Sequence, residues 1–242
     1  MNIDDLGNTD DLAVIGLEPR TWYRFVQLQI DLLRNHIQGL EKQIEESVKA
    51  YEKDSVATDV EHDDDGYRHV ILEEHLGIEA PPNHLSEIFE YYFPNLQRRG
   101  ALIILFSFLE HQLNQLCKSF ADTQQLKSVD TDLNDKRVDR SRRYLRNVIG
   151  LPLDDSSGSW EEIKKIQRVR NVVVHNDGKL VNKDAIKYVR DGEYLSSANE
   201  SIYYYNEIDE VNILRGYLIH VLDTFDLYCH EISTPIETRP GS

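Results

Sequence analysis

The segment RVRNVVVHNDG, at residues 168–178, sets the local fold and raises the first question of function. Three consecutive valines separate Arg170 and Asn171 from His175, and a polar turn with Gly178 follows. Three apolar residues in a row exceed what an exposed helix carries, so we predict that all three valines lie in the core, in the last turn of a buried helix. Gly178 fits the left-handed position just beyond a helix end. The segment is therefore either core with polar ends or half of an active site.

The polar residues of this segment are spaced so that they can act together. Asn171 and His175 are four residues apart and share a helix face. Arg170 lies about 140° around the helix from His175, and its side chain is long enough to curl towards it. Arginine binds phosphate through charged hydrogen bonds, and histidine at a helix C-terminus can exchange protons near neutral pH. This pattern is compatible with chemistry on a phosphate.

The sequence before this segment predicts three helices. Ser159, in SSGSW, is predicted to be the N-cap of the helix that ends at residue 175, with two glutamates in its first turn. Residues 136–149, KRVDRSRRYLRNVI, form a shorter basic helix. A longer helix spans about residues 94–120, and its centre ALIILFSFLEHQL is apolar on all sides apart from Glu110 and the following histidine. These helices predict a buried bundle.

The sequence after Gly178 predicts a hairpin and a closing helix. In AIKYVRDGEYL, residues 185–195, an Asp-Gly pair lies between two extended runs, and SIYYY at 201–205 adds residues that favour strands. Asn206 is predicted to cap a last helix that runs to about Ile232, with Val211 among its inward residues.

The first third of the chain predicts one long helix and a loop region. From Pro19 to about Lys53, apolar residues recur at spacings of three and four, which predicts an amphipathic helix that packs either on the body or on a second copy. Residues 54–68 are predicted to be an acidic loop, and HVILEEHLG at 69–77 a short helix closed by Gly77. The predicted division of the chain is a flexible acidic N-terminus at 1–18, a helix-and-loop extension at 19–82, the main domain at 83–232 and a tail at 233–242.

Composition narrows the class of protein. With 242 residues, 40% of them hydrophobic, the chain can bury a substantial core. The acidic start and the lack of a run of about 18 to 20 apolar residues predict a cytoplasmic protein without a membrane span. Cys117 and Cys229 are predicted to be small buried hydrophobic residues, since one pair in helical patterns makes no disulfide framework. His62 and the three aspartates after it are adjacent rather than spaced as ligands, so no metal or cofactor is predicted.

Charge is distributed unevenly along the chain. The net charge is -16, but residues 136–170 hold ten Lys and Arg against five Asp and Glu, which leaves -21 on the remainder. A basic patch on an acidic body concentrates anions on one face. The candidates for contacts to RNA are Arg140, Arg143, Arg146, Lys164 and Arg168. The alternative is that these residues form a solvated helix face.

The order Arg170-Asn171-x3-His175 resembles the Arg-polar-x3-His signature of the HEPN superfamily. The surroundings are similar too, with a buried helix that carries Glu110, a basic helix, the helix with the signature and a closing helix, over about residues 94–232. The resemblance implies a mainly α fold: a HEPN-like bundle of four core helices, here with the long N-terminal helix and a small β-hairpin before the last helix.

The resemblance also implies a function. Many HEPN proteins are metal-independent endoribonucleases of antiviral defence or toxin-antitoxin systems, in which two domains pair so that both signatures line one cleft. Since the signature occurs once here, the resemblance implies a homodimer. It implies RNA as the substrate, and possible partners are a neutralising antitoxin or a protein that binds residues 20–53. Arg170 would stabilise the phosphorane, His175 would transfer protons, and Asn171 would orient His175 or the substrate. Glu110 would anchor Arg170.

Each of these roles has a structural alternative. Arg170 and His175 can satisfy carbonyl groups at a helix end, and Glu110 can be a buried acid paired with an arginine for stability. Three classes of function therefore remain open: a homodimeric ribonuclease, a non-catalytic HEPN interaction module, and an accessory protein that binds RNA or a nucleotide without turnover.

Overall fold

The computed structural model describes residues 18–62, 68–125, 137–180, 187–189, 193–198 and 210–238. These residues are mainly helical, as predicted. In chain order the elements are α1 (Pro19–Asp54), β1 (Val56–His62), β2 (Arg68–His75), β3 (Ile78–Ala80), α2 (Pro82–Ser86), a π-helical segment (Glu87–Tyr92), α3 (Phe93–Gln124), α4 (Arg137–Asn147), α5 (Gly158–Asn176), β4 (Leu195–Ala198), β5 (Glu210–Ile213) and α6 (Tyr217–Glu237). Within the described ranges, no helix is both long and apolar enough to cross a bilayer.

Helix α1 packs on the body of the protein, one of the two arrangements that its pattern left open. Its apolar face enters the main core, where Trp22, Val26 and Ile30 are at most 1% exposed. Polar contacts with α6 flank this face: the hydroxyl of Tyr23 donates to Asp226 at 3.0 Å, and an ion pair joins Arg34 and Asp223. The long helix is therefore part of the bundle.

Helix α3 lies at the centre of the main core. Its residues Leu102, Leu105 and Leu109 are almost completely buried, and it contacts α1, α4, α5 and α6. Contacts with α5 run in opposite order along the two helices, since Arg99 meets the end of α5 and Glu110 meets its middle. Helices α3 and α5 are therefore antiparallel, which brings Glu110 to the level of the Arg-x4-His segment.

Two of the predictions for residues 54–77 are wrong. Residues 56–62 and 68–75 are antiparallel strands in place of a loop and a short helix, and β3 completes a three-stranded sheet. Leu76 and Gly77 both have positive φ, 53° and 77°, and form the two-residue turn that joins β2 to β3. Gly77 therefore lies in a turn between two strands rather than at a helix end, and the turn requires its positive φ. The three aspartates at 63–65 lie outside the described residues.

The region before α6 is also corrected. Helix α6 begins at Tyr217 rather than near Asn206. Its N-cap is Gly216, whose φ of 97° lies outside the helical region. Val211 lies buried in β5, which pairs antiparallel with β4. The predicted small β-structure before the last helix is thus present, but from other residues: 187–189 are helical, while the Asp-Gly pair at 191–192, SIYYY and Asn206 lie outside the described residues. Helix α6 runs past the predicted end at Ile232, to Glu237.

The N-terminus of α5 lies two residues earlier than predicted. Ser157, and not Ser159, is the N-cap, and its hydroxyl accepts a hydrogen bond from the backbone N–H of Trp160. Ser157 has the extended backbone that an N-cap requires. Ser159 is instead buried in the first turn and donates a hydrogen bond to Glu231 of α6.

Both cysteines are free and buried, as predicted. Cys117 of α3 contacts the backbone carbonyl of Ser141 on α4, and burial raises the pKa of its thiol to about 12. Burial also raises the pKa of Cys229. Thiols that stay protonated at neutral pH are poor nucleophiles, so these residues act in packing.

Candidate active site at the end of helix α5

Helix α5 ends in a left-handed turn next to the Arg-x4-His segment. Gly178 has a φ of 81°, as its predicted position requires, and Asp177 before it also has a positive φ of 52°. The backbone N–H of Gly178 donates to the carbonyl of Val172 at 3.1 Å. This bond closes the last turn of the helix and fixes the backbone that carries His175.

A buried arginine of α3 holds this helix end in place. The guanidinium of Arg99 donates to the carbonyl oxygens of Asp177 and Val211 and forms an ion pair with Glu210. It lies directly beneath Gly178, where an added Cβ atom would be 2.4 Å from its Cζ atom. The sequence alone did not identify this residue, and the available signal was an Arg-Arg-Gly triplet inside α3, just ahead of its apolar centre.

The three valines of the segment do not all lie in the core. Val172 and Val173 are 6% and 9% exposed, but Val174 is 42% exposed, so the prediction for Val174 is wrong. Successive residues of a helix point about 100° apart, so a last turn that packs on one side leaves one of three consecutive residues exposed. The two buried valines are enough to fix the helix end against the core.

The side chain of Arg170 is held by three neighbours. Its Nη1 donates to Oδ1 of Asn171 at 3.1 Å, and its Nη2 lies 4.0 Å from Oε2 of Glu110. Its Cζ atom lies 5.7 Å from the centre of the Phe106 ring, within cation–π range. Its Nε is buried and has no hydrogen-bond partner among the described residues. The structure thus brings Arg170, Asn171 and Glu110 together in a partly buried cluster.

His175 lies beside this cluster but remains exposed on the last turn of α5. Among the described residues, no hydrogen bond joins it to Asn171, whose side-chain oxygen is used by Arg170. Asn171 therefore orients the guanidinium rather than the imidazole. An exposed imidazole five residues along the helix from a fixed guanidinium can reach a phosphate that binds at the surface of this helix end.

Most of the basic patch lies away from this helix end. Lys164 is about 16 Å from His175 along the axis of α5, and it pairs with Glu161. Arg146 pairs with Asp155, and Arg142 is buried over the ring of Trp160 at 4.5 Å. The remaining candidates for RNA contact are Arg140 and Arg143 on α4 and Arg168 on α5. Arg140 is partly buried, and the other two are exposed.

A second polar cluster, with no signal in the sequence, surrounds Glu162 on α5. His220, Tyr188 and Lys165 all donate hydrogen bonds to its carboxylate, at 3.0, 2.8 and 3.0 Å. These bonds, that of His220 first, lower the pKa of Glu162 to about 2 although partial burial acts in the opposite direction. The sequence identifies Glu162 only as an acid in the first turn of α5, because Tyr188 and His220 lie 26 and 58 residues away.

The lowered pKa of Glu162 predicts a pH dependence of stability. Since the folded-state pKa lies below the ordinary value of 4.5, the carboxylate stabilises the fold above about pH 4.5 and loses this effect as the pH falls towards 2. Glu162→Gln should lower the free energy of unfolding at pH 7 by on the order of 1 to 2 kcal/mol, since its side chain retains some solvent contact. Urea titrations of both proteins at several pH values should show the difference shrinking below pH 4.5.

The matched control is Glu161→Gln, at the neighbouring and half-exposed position whose partner is Lys164. It should change the free energy of unfolding little at any pH, because exposed ion pairs contribute little. An equal effect of the two variants, or a Glu162→Gln effect that is independent of pH, would contradict the prediction.

Metal-ligating side chains do not gather near the Arg-x4-His segment. Among the described residues, no group of three or more His, Cys, Asp or Glu is placed to hold a metal ion. Comparison of the chain with family models, with curated proteins and with solved structures finds no match. The chemistry of the side chains themselves is therefore the basis for a functional interpretation.

Proposed function

We propose that this protein is a metal-independent endoribonuclease of the HEPN type that acts as a homodimer, in toxin-antitoxin or antiviral defence. The observation that carries the proposal is the arrangement at the end of α5. There Arg170 is oriented by Asn171 and Glu110, and an exposed His175 follows five residues later. A fixed guanidinium beside an accessible imidazole matches the needs of RNA cleavage.

RNA cleavage at such a site requires few components. The ribose 2′-hydroxyl attacks the adjacent phosphorus, a pentavalent phosphorane forms, and the bond to the 5′-oxygen breaks. His175 would take the proton from the 2′-hydroxyl or supply one to the leaving 5′-oxygen, and Arg170 would stabilise the negative charge of the phosphorane. The products are a 2′,3′-cyclic phosphate and a 5′-hydroxyl. DNA lacks the nucleophile and would not be cut.

A dimer supplies the second proton-transfer group that one copy of the segment lacks. Two protons must move in the reaction, one from the nucleophile and one to the leaving group, and one His175 cannot do both in a single step. A second copy placed with its own α5 end in the same cleft contributes the second imidazole and guanidinium. In this proposal α3, α4, α5 and α6 are the four HEPN core helices.

The proposal is tested with an oligodeoxynucleotide that contains one ribonucleotide. In EDTA, the purified protein is expected to cut it only on the 3′ side of the ribose, leaving a 2′,3′-cyclic phosphate that mass spectrometry identifies. The same oligonucleotide with a 2′-O-methyl group in place of the hydroxyl is the control and should stay intact. Cleavage that needs Mg²⁺ or Mn²⁺, or cleavage of the methylated control, would overturn the mechanism.

A second candidate function is a non-catalytic HEPN interaction module. The observation that favours it is an apolar stripe on the outer face of α1, where Phe25, Leu28 and Leu32 are 42%, 58% and 61% exposed. Their spacing places them on one helix face, the arrangement of a helix that docks in a protein interface. If this is the function, a Leu28→Lys/Leu32→Lys variant will lose self-association or partner binding, and the wild type will leave the single-ribose oligonucleotide uncut.

A further inference from the structure

The sheet, the second half of α1, the π-helical segment and the first turn of α3 form a cavity whose lining includes no residue of the Arg-x4-His segment. Its volume is about 610 Å³, enough for a small organic molecule. It is lined by apolar residues, among them Ile44, Phe89 and Phe93, and by several polar ones. The sequence predicts a loop and a short helix in this region, and therefore no binding site.

One wall of the cavity is an aromatic cluster around a buried histidine. The ring of His75 packs edge-on against Phe89 and Tyr51, at centroid distances of 4.6 and 5.5 Å, and Phe89 stacks on Tyr51 at 5.3 Å. Phe93 meets the edge of Phe89 at 5.3 Å. These contacts fix the orientation of the rings, so that the wall is formed before any ligand arrives.

The imidazole of His75 faces the cavity. His75 is 8% exposed and lines the cavity, and none of the described residues forms a hydrogen bond with its ring nitrogens. The imidazole can donate one hydrogen bond and accept another, so its nitrogens are available to a ligand in the cavity. This residue therefore points to an occupant that can donate or accept a hydrogen bond.

The negative charge of the cavity lining favours a cation over an anion as the ligand. Asp54 and Glu74 line it, and none of the lining residues within the described ranges is lysine or arginine. Aromatic ring faces also attract cations through their quadrupole. An anion in the cavity would meet two carboxylates and no lysine or arginine of the described residues. A cation would meet two carboxylates and two phenyl rings.

The backbone around Phe89 supports a role in binding. Residues 87–92 form a π-helical turn, a conformation that is rare and often found at functional sites. The segment leads directly into Phe93, and both phenylalanines line the cavity from successive turns.

We propose that this cavity binds a small organic cation with an apolar or aromatic body. The charged group donates a hydrogen bond to His75 and is neutralised by Glu74 and Asp54, while the apolar body packs on Phe89 and Phe93. The site is independent of the proposed ribonuclease chemistry and stands without it.

Three probes of nearly equal shape test the proposal by NMR titration of the backbone amides: benzamidine, which is a cation, benzamide, which is neutral, and benzoate, which is an anion. Benzamidine is expected to shift the signals of cavity residues such as Ala50, Val56 and Leu76. Its Kd should lie about tenfold or more below that of benzamide, and benzoate should show no binding. Equal binding of the three probes, shifts confined to other parts of the protein, or no binding of benzamidine at millimolar concentration would overturn the proposal.

Two variants separate charge from shape. Glu74→Gln removes one carboxylate at an exposed position and should weaken benzamidine binding by roughly threefold to tenfold without altering benzamide binding. The matched control is Glu79→Gln, because Glu79 lies directly opposite Glu74 on β3, is exposed and does not line the cavity. Equal losses in the two variants would show a long-range effect of net charge, and the assigned site would be wrong.

Discussion

Replacing His175 with alanine is expected to lower the rate of RNA cleavage by at least about a hundredfold, the usual range for loss of a general acid or base. The side chain is exposed and, within the described part of the chain, makes no hydrogen bond, so its loss should change the melting temperature little. Cleavage of the single-ribose oligonucleotide and thermal unfolding are measured on the same preparations. The combination of lost activity and retained stability separates a catalytic histidine from a structural one.

The control for this variant is His36→Ala, at an exposed histidine of α1. It should cleave at the wild-type rate. Arg170→Lys is a useful companion, because it keeps the positive charge near Glu110 but loses the planar donor pair, and it should lower cleavage with little loss of stability. Wild-type activity of His175→Ala would show that the segment is scaffold, and the interaction-module function would take its place.

Gly178→Ala is expected to destabilise the protein by roughly 2 to 4 kcal/mol, although it adds only one methyl group. An alanine at φ of 81° is strained by about 1 kcal/mol, and its Cβ atom would lie 2.4 Å from the guanidinium carbon of Arg99. Arg99 would have to move away from the carbonyl oxygens of Val211 and Asp177, and a buried charge that loses its partners is costly. In a protein of this size, the melting temperature should fall by about 5 to 15 °C.

Gly100→Ala is the matched control, since Gly100 is the residue next to Arg99 on the exposed side of α3 and nothing lies within 4 Å of its added Cβ atom. Alanine is the better helix former, so this variant should be as stable as the wild type or slightly more stable. A melting temperature of Gly178→Ala equal to that of the wild type would show that Arg99 does not hold the end of α5.

Long helices with a clear apolar period were predictable from sequence, and the residues that join them were not. The spacing of Val26, Ile30 and Ile37 predicts α1 because 3.6 residues per turn places them on one face. Residues 70–72 are all apolar and fit a buried helix or a strand equally well, so HVILEEH was misassigned. Val211 fits the period of α6 by chance, and only pairing with β4 places it in a strand.

The candidate site was predictable only in its local part. Arg170, Asn171 and His175 lie within one helix, so their spacing alone places them close together. The contacts of Arg99 with Asp177 and Val211 join residues 78 and 112 positions apart, and no local pattern encodes such distances. The same limit hid the partners of Glu162 and the cavity beside the sheet.

The packing of α1 against α6 also governs when the protein can acquire its structure during synthesis. Helix α1 ends at residue 54 and its partner begins at residue 217, so α1 leaves the ribosome long before the helix that completes its surroundings. At about 5 to 20 residues per second the delay is roughly 10 to 30 s. Helix α5 also packs on α6. A nascent chain therefore carries Arg170 and His175 for roughly 3 to 12 s before α6 is complete, a delay that would keep the activity proposed for them away from the messenger RNA being translated.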